Sequence, residues 1–149
     1  MIGTQATITS DAYSDAFAAA PQIEVTSQSC PKFVEFVEAG ITNGKELTEI
    51  AREYLQPILS QDIDTLVLGC THYPFAADVL QRLCGPQVQM VETGIPVARR
   101  TREVLHDRPP QASGPLPRLT LLSTSQPEGL SDVAQRWLGS ATPAALWTC

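Results

Sequence analysis

Histidine is scarce in this chain of 149 residues, which contains only two, His72 and His106. The four cysteines form no CxxC pair, so the ligand spacing that structural zinc sites use is missing. A structural zinc site is therefore not expected. Cytoplasmic proteins keep their cysteines reduced, so a cytoplasmic location would leave four free thiols.

Basic residues are also few, since 10 Lys and Arg stand against 16 Asp and Glu, for a formal charge of −6. A nucleic-acid surface would need clustered basic residues, and the small group at 99–102 is more typical of a solvated helix face. No apolar run approaches the length of a membrane span, and the opening residues do not resemble a signal peptide. We therefore expect a cytoplasmic protein that binds neither nucleic acid nor membranes.

Alternating strand and helix patterns indicate the fold class. With 43% hydrophobic and 17% charged residues, the chain can build a core. Strand patterns lie at 22–27, 64–69, 88–92, 118–124 and 144–148, and helix patterns at 10–20, 30–40, 45–61, 74–84, 95–106 and 127–139. Because strands alternate with helices, the sequence predicts an α/β protein with a mostly parallel sheet flanked by helices.

Prolines and a short opening strand indicate where the helices bend and where the pieces of the chain begin. Pro57 is expected to bend the helix at 45–61 or to divide it. The segment 107–117 is predicted to be a linker or an exposed loop, so the residues beyond it form a separate piece. The first residues offer only the stub of an opening strand, and we therefore expect the chain to begin inside a larger protein.

The stretch LVLGCTHYPF, residues 66–75, places a thiol and an imidazole where an apolar strand meets a helix. In open α/β sheets, ligands bind beyond the carboxyl ends of the strands, and a helix N-terminus attracts anions and activates thiols. His72 follows Cys70 closely enough to exchange protons with it. The pattern favours acid–base or nucleophilic chemistry at Cys70, although a cysteine after an apolar strand is more often a packing residue.

Several stretches of the chain together resemble glutamate racemases. LVLGCTHYPF is similar to the second active-site motif of that family, which aspartate and hydantoin racemases do not share beyond the cysteine. The other matching stretches are IGTQATITSDAY, CPKFVEFVEAG, VETGIPVARRTREVL and LLSTSQPEGLSDVAQRWLG, the last with Ser-Gln in place of the usual Gly-Asp. The resemblance covers nearly the whole chain.

This resemblance implies a racemase that needs no cofactor and has two similar α/β lobes around the substrate, glutamate. One cysteine from each lobe faces the α-carbon; one thiolate removes the α-proton and the opposite thiol returns a proton to the other face. Residues 1–97 would form the second lobe, and 98–149 a connecting helix, a linker and a tail that returns to the first lobe. The parent enzyme would be a homodimer that supplies D-glutamate for peptidoglycan.

The resemblance also assigns roles to individual residues. Cys70 would be the second-lobe acid and base, His72 would tune this thiol, and Glu38 would support the histidine. The residues assigned to substrate binding are Thr71, His72, Thr4 and Thr7. Without the resemblance, Glu38 would be interpreted as a solvated acid in a last helical turn, and the two N-terminal threonines as ordinary turn residues.

The remaining thiols and the second histidine are interpreted as structural or incidental. Cys30 also lies between a strand and a helix, but the family has no catalytic thiol there. Cys84 falls late in a predicted helix and is expected in the core, and Cys149 is terminal. His106 is expected to act as a cation at a helix C-terminus.

The first-lobe motifs of the family are absent, including its cysteine-asparagine-threonine motif. The chain therefore resembles the C-terminal half only, and alone it would lack an acid on one face of the substrate. Two other functions stay open: a Cys/His acyl-transfer enzyme and a non-catalytic glutamate-binding remnant. Thioester trapping on Cys70 would favour the first, and ligand binding without exchange of the α-proton would favour the second.

Overall fold

A computed structural model of the chain describes residues 1–106 and 119–148. The chain divides into two compact units, Met1–Val104 and Leu105–Cys149. The predicted linker at 107–117 and Cys149 lie outside the described residues.

The first unit alternates short strands with helices. Its strands are β1 (Ile2–Gly3), β2 (Gln28–Ser29), β3 (Thr65–Val67) and β4 (Gln89–Val91). Its helices are α1 (Gln5–Thr9), α2 (Ala12–Phe17), α3 (Lys32–Glu38), α4 (Lys45–Leu59), α5 (Ala77–Cys84) and α6 (Gly94–His106), and a 3-10 helix (Tyr73–Ala76) leads into α5.

All four strands of the first unit run in the same direction. β1 pairs with β2, and β3 pairs with β4, both in parallel. A parallel bridge between Ile2 and Leu68 joins the two pairs, and the Gly69 amide donates to the Ile2 carbonyl at 2.8 Å. The resulting order is β2-β1-β3-β4, so the carboxyl ends of the strands share one edge. The predicted α/β class with a mostly parallel sheet is confirmed.

The core of this unit packs helices against the sheet. Leu47, Ala51, Leu55 and Ile58 are buried along one face of α4, as the helical spacing of the sequence predicts. They belong to one cluster with buried residues of the strands and of the other helices, namely Ile2, Leu66, Leu68, Phe33, Tyr73, Val79 and Leu80. Burial of each large side chain stabilises the fold by about 1.5–3 kcal/mol.

The strand predicted at 22–27 is wrong in position, because β2 comprises Gln28–Ser29. The parallel register pairs Ile2 with Gln28 and Gly3 with Ser29, so the ladder with β1 begins only at Gln28. Residues 22–27 include β-branched side chains but have no ladder partner in β1, and strand propensity without a partner does not form a ladder.

The helix predicted at 10–20 is also corrected. Two short helices, α1 and α2, replace it, and Asp11 between them has a φ of 53°, which a helix cannot continue through. α1 begins earlier than predicted because Thr4 caps it. The predicted division at Pro57 is wrong: α4 is one helix with Pro57 inside it. The buried side chains on either side of the proline, Leu55 and Ile58, hold the helix to the core, and this packing offsets the lost backbone bond.

The second unit contains β5 (Leu121–Ser123), α7 (Pro127–Leu138) and β6 (Ala144–Leu146). β5 and β6 are parallel, and the Ser131 hydroxyl of α7 accepts a bond from the Ala144 amide at 2.9 Å. The elements predicted for this region are confirmed within the described residues. Several large apolar side chains remain exposed on it, namely Leu119, Leu122, Trp137, Leu138, Leu146 and Trp147.

Within residues 1–106 and 119–148, every helix is too short or too polar to cross a membrane.

Candidate functional site

The shared carboxyl edge of β1 and β3 gathers the polar side chains that the sequence singled out. Thr4 follows β1 directly, and Gly69–His72 follow β3. Because these two strands are neighbours, the segments that leave them begin side by side. This is the edge at which ligands bind in open α/β sheets.

Cys70, His72 and Glu38 form a continuous chain of contacts at this edge. The Cys70 Sγ lies 3.8 Å from the His72 Nδ1, and the His72 Nε2 lies 3.4 Å from the Glu38 Oε1. With its proton on Nε2, where the carboxylate accepts it, the ring presents the free Nδ1 lone pair to the thiol. The arrangement therefore lets His72 take a proton from Cys70 and return it.

Solvent reaches both members of the histidine–carboxylate pair. The side chains of His72 and Glu38 are 34% and 59% exposed. Screening by water makes such a pair weak as a source of stability. Its main effect is to fix the orientation of the imidazole ring.

Backbone hydrogen bonds hold the thiol and the imidazole in a tight turn after β3. The Tyr73 amide donates to the Cys70 carbonyl, and the Phe75 amide donates to the His72 carbonyl, both at 3.2 Å. These bonds open the 3-10 helix, in which Pro74 occupies the first turn, a position that needs no amide proton. Proline thus starts this helix, as the sequence predicts, although α5 proper begins at Ala77.

The turn also depends on a position without a side chain. A Cβ atom at Gly69 would lie 3.0 Å from the Ile2 carbonyl oxygen and 2.6 Å from the Met1 Cε. Glycine therefore allows β1 and the segment after β3 to approach closely, immediately before Cys70.

The other predicted site residues fall into two groups. The Thr4 hydroxyl caps α1 by accepting from the Thr7 amide at 3.2 Å, and the two threonine hydroxyls lie 2.9 Å apart. Both are partly buried at the edge of β1. Thr71 stands between Cys70 and His72 and is exposed, so its side chain is available to a ligand.

The described cysteines differ in their access to solvent. Cys30 and Cys84 are buried, whereas Cys70 is partly exposed. Burial raises the pKa of the Cys30 thiol to about 12, and burial also raises the pKa of the Cys84 thiol. Both groups therefore remain protonated and unreactive at neutral pH, which agrees with their interpretation as structural residues.

Selective alkylation tests this difference. In a Cys149→Ser background, iodoacetamide at pH 8 is expected to label Cys70 at least about tenfold faster than Cys30 or Cys84, because the thiolate is the reacting form and these two thiols are buried and protonated. Peptide mapping by mass spectrometry identifies the labelled residue, and labelling in urea is the control in which all three react. Labelling of Cys30 in the folded protein at the rate of Cys70 would contradict the assignment.

The sequence patterns did not predict the polar contact that Glu92 makes at this edge. Glu92, which follows β4, accepts from the Gly94 amide at 2.9 Å and from the Ile95 amide at 3.2 Å. The positive end of α6 is therefore occupied by the protein's own carboxylate. The signal for it was available, since an acidic residue just before a predicted helix is typical of a cap.

No group of three or more His, Cys, Asp or Glu side chains in the described parts of the chain is arranged to hold a metal ion.

Curated proteins similar in sequence to this chain include several glutamate racemases. No protein-family model matches the chain. It is 49% identical over 141 residues to the glutamate racemase of Acidothermus cellulolyticus, covering 93% of this chain and 54% of that protein. It is 43% identical over 149 residues to the glutamate racemase of Mycobacterium avium, covering 95% of this chain and 54% of that protein.

Solved structures of similar fold carry the same name. The glutamate racemase RacE1 of Bacillus anthracis superposes with a TM-score of 0.83 at 28% identity, covering 99% of this chain and 56% of that one. The glutamate racemase of Francisella tularensis in complex with D-glutamate gives 0.81 at 27% identity, with coverage of 99% and 56%. The chain thus spans about half the length of the relatives it matches.

Proposed function

The chain is related by sequence and by fold to glutamate racemases over about half of their length, and from this we propose that it supplies one half of a glutamate racemase site. In this proposal Cys70 is the acid and base for one face of the α-carbon. The complementary half, which the chain does not match, supplies the thiol for the opposite face.

The single observation that supports this role is the contact chain Cys70–His72–Glu38. Removal of an α-proton requires a base that can also act as an acid in the reverse direction, and a thiol does both near neutral pH. His72 takes the proton of the resting thiol, which leaves the thiolate that attacks the α-hydrogen. Glu38 holds the ring so that its Nδ1 faces the sulfur.

The proton balance closes without any further reactant. The Cys70 thiolate removes the α-proton and becomes a thiol, and the electron pair left behind is a carbanion delocalised into the substrate carboxylate. The thiol of the complementary half then donates its proton to the other face of this carbon and becomes a thiolate. In the reverse direction the two cysteines exchange roles.

The polar side chains around Cys70 fit a small anionic amino acid. Thr71 is exposed next to the thiol, and Thr4 and Thr7 present two hydroxyls at the adjacent strand end. We propose that these hydroxyls bind the substrate carboxylates. That one relative was crystallised in complex with D-glutamate supports glutamate as the substrate.

The exposed apolar side chains of the second unit support a partner half. Leu138, Leu146 and Trp147 are 70%, 56% and 53% exposed, and apolar patches of this kind mark interaction surfaces. We propose that they pack against the complementary half. The wider setting that we propose, a homodimeric cytoplasmic enzyme supplying D-glutamate for peptidoglycan, follows from the family resemblance.

A fusion protein tests the proposed function. It joins this chain to the half of the Acidothermus cellulolyticus racemase that the chain does not match, and circular dichroism then follows the interconversion of L- and D-glutamate. We expect racemisation in both directions. If the fusion protein is folded and inactive but forms a thioester on Cys70 with acyl donors, acyl transfer replaces racemisation as the function.

A double-mutant cycle in the fusion protein tests the roles of His72 and Glu38. We expect His72→Asn to lower the turnover number by about thirtyfold and Glu38→Gln by about threefold, because one group acts on the thiol and the other acts through the first. The double variant should then be no slower than His72→Asn alone. Fully multiplicative effects would show that Glu38 does not act through the histidine.

A further inference from the structure

We propose that Tyr73 is a positioning residue of this site, because its buried side chain fastens the segment that carries Cys70 and His72 to the helix that carries Glu38. This inference rests on the proposed function for its consequence in catalysis. The geometry itself involves only residues of this chain.

The alignment of His72 with Glu38 needs a fixed distance between two elements. His72 belongs to the turn after β3, whereas Glu38 is the last residue of α3. The pair itself is weak, since both side chains are partly exposed to solvent. Another contact must therefore hold the turn and α3 together.

Tyr73 provides that contact at the other end of α3. Its side chain is completely buried, and its hydroxyl donates to the Cys30 carbonyl at 2.9 Å. Its ring meets the ring of Phe33 edge-on, with centroids 5.2 Å apart and planes at 89°. Cys30 and Phe33 lie at the start of α3, so Tyr73 holds the beginning of this helix while its neighbour His72 meets the end.

The hydroxyl of Tyr73 remains a donor at neutral and mildly alkaline pH. Burial raises the pKa of Tyr73 well above its usual value. A buried tyrosine hydroxyl normally makes a hydrogen bond. If Tyr73 served only to fill the core, any nearby acceptor could receive this bond. What makes this bond a positioning contact is that its acceptor lies two residues before α3, the helix that carries Glu38.

Tyr73→Phe removes the tether with little damage to the core. The ring remains to pack on Phe33, and the Cys30 carbonyl keeps the Phe33 amide as a donor at 3.3 Å. We therefore expect the melting temperature to fall by only about 4 °C. Tyr54→Phe is the matched control, because Tyr54 meets the same Phe33 edge-on at 5.5 Å and 83° but belongs to α4 and not to the segment that carries Cys70 and His72.

The rate of Cys70 alkylation reports on the thiol without any substrate. In the 149-residue chain with Cys149→Ser, we expect Tyr73→Phe to slow the reaction with iodoacetamide about threefold and Tyr54→Phe to leave it unchanged. In a Glu38→Gln background, Tyr73→Phe should cause no further slowing, because the alignment that it protects is already lost. The signals of the His72 ring in NMR spectra should shift in Tyr73→Phe and not in Tyr54→Phe.

Three results would overturn the inference: a wild-type alkylation rate in Tyr73→Phe, an equal slowing in Tyr54→Phe, or an undiminished slowing in the Glu38→Gln background. The proposed function fails separately, in the racemisation assay of the fusion protein. An inactive fusion protein together with the expected alkylation pattern would leave the positioning role intact.

Discussion

Replacement of Cys70 by serine in the fusion protein is expected to lower the racemisation rate in both directions by about a thousandfold or more. An alcohol is a far weaker base than a thiol at neutral pH, and the contact that His72 makes with the sulfur cannot compensate for that difference. Both directions suffer because each enantiomer needs Cys70 once, as the base for one and as the acid for the other.

Buried cysteines provide the matched control for this variant. Cys84 lies late in α5 within the core and is remote in sequence from the turn, so Cys84→Ser should affect stability more than turnover. The two variants are compared by circular dichroism with saturating L- or D-glutamate at equal concentrations of folded protein. Near-normal racemisation by Cys70→Ser would remove this residue from the chemistry.

The chain without a partner half is expected to show no measurable racemisation. A single thiol at the end of β3 approaches the α-carbon from one side, and a site of fixed geometry cannot deliver a proton to the opposite side as well. We therefore expect at least about a thousandfold difference between the isolated chain and the fusion protein.

The comparison needs both halves measured separately. The isolated half of the Acidothermus cellulolyticus racemase should be inactive too, and mixing the two halves should restore some activity if the apolar side chains of the second unit bind that half. Turnover at an ordinary enzymatic rate by the isolated chain would show that its own residues serve both faces of the substrate.

The sequence predicts the strand and the turn around Cys70 for physical reasons. A short apolar run that ends in a glycine favours a buried strand followed by a turn, and β3 and the turn after it lie where the sequence predicts them. The glycine is needed for a close backbone approach. Such local features depend on a few neighbouring residues, so the sequence shows them directly.

Contacts between segments that are distant in the chain could not be predicted from the sequence. From spacing alone, Glu38 is an exposed acid in a last helical turn, and only the family resemblance pairs it with His72. In the sequence, Tyr73 is one residue of the motif around Cys70. Only the structure shows that its hydroxyl reaches the carbonyl of Cys30, 43 positions away in the chain. The misplaced strand at 22–27 has the same cause, because pairing depends on which residues of β1 lie opposite.

Elimination from a substrate with a leaving group tests the central claim most directly, namely that Cys70 serves one face of the α-carbon. When glutamate carries chloride on its β-carbon, removal of the α-proton expels chloride with its bonding electrons, and the enamine product hydrolyses to a keto acid and ammonia. One base suffices for this reaction, so the released ammonia can be measured for each enantiomer separately. The fusion protein should act on both enantiomers, and its Cys70→Ser variant on one enantiomer only. Elimination from both enantiomers at unchanged rates by the variant would contradict the assignment.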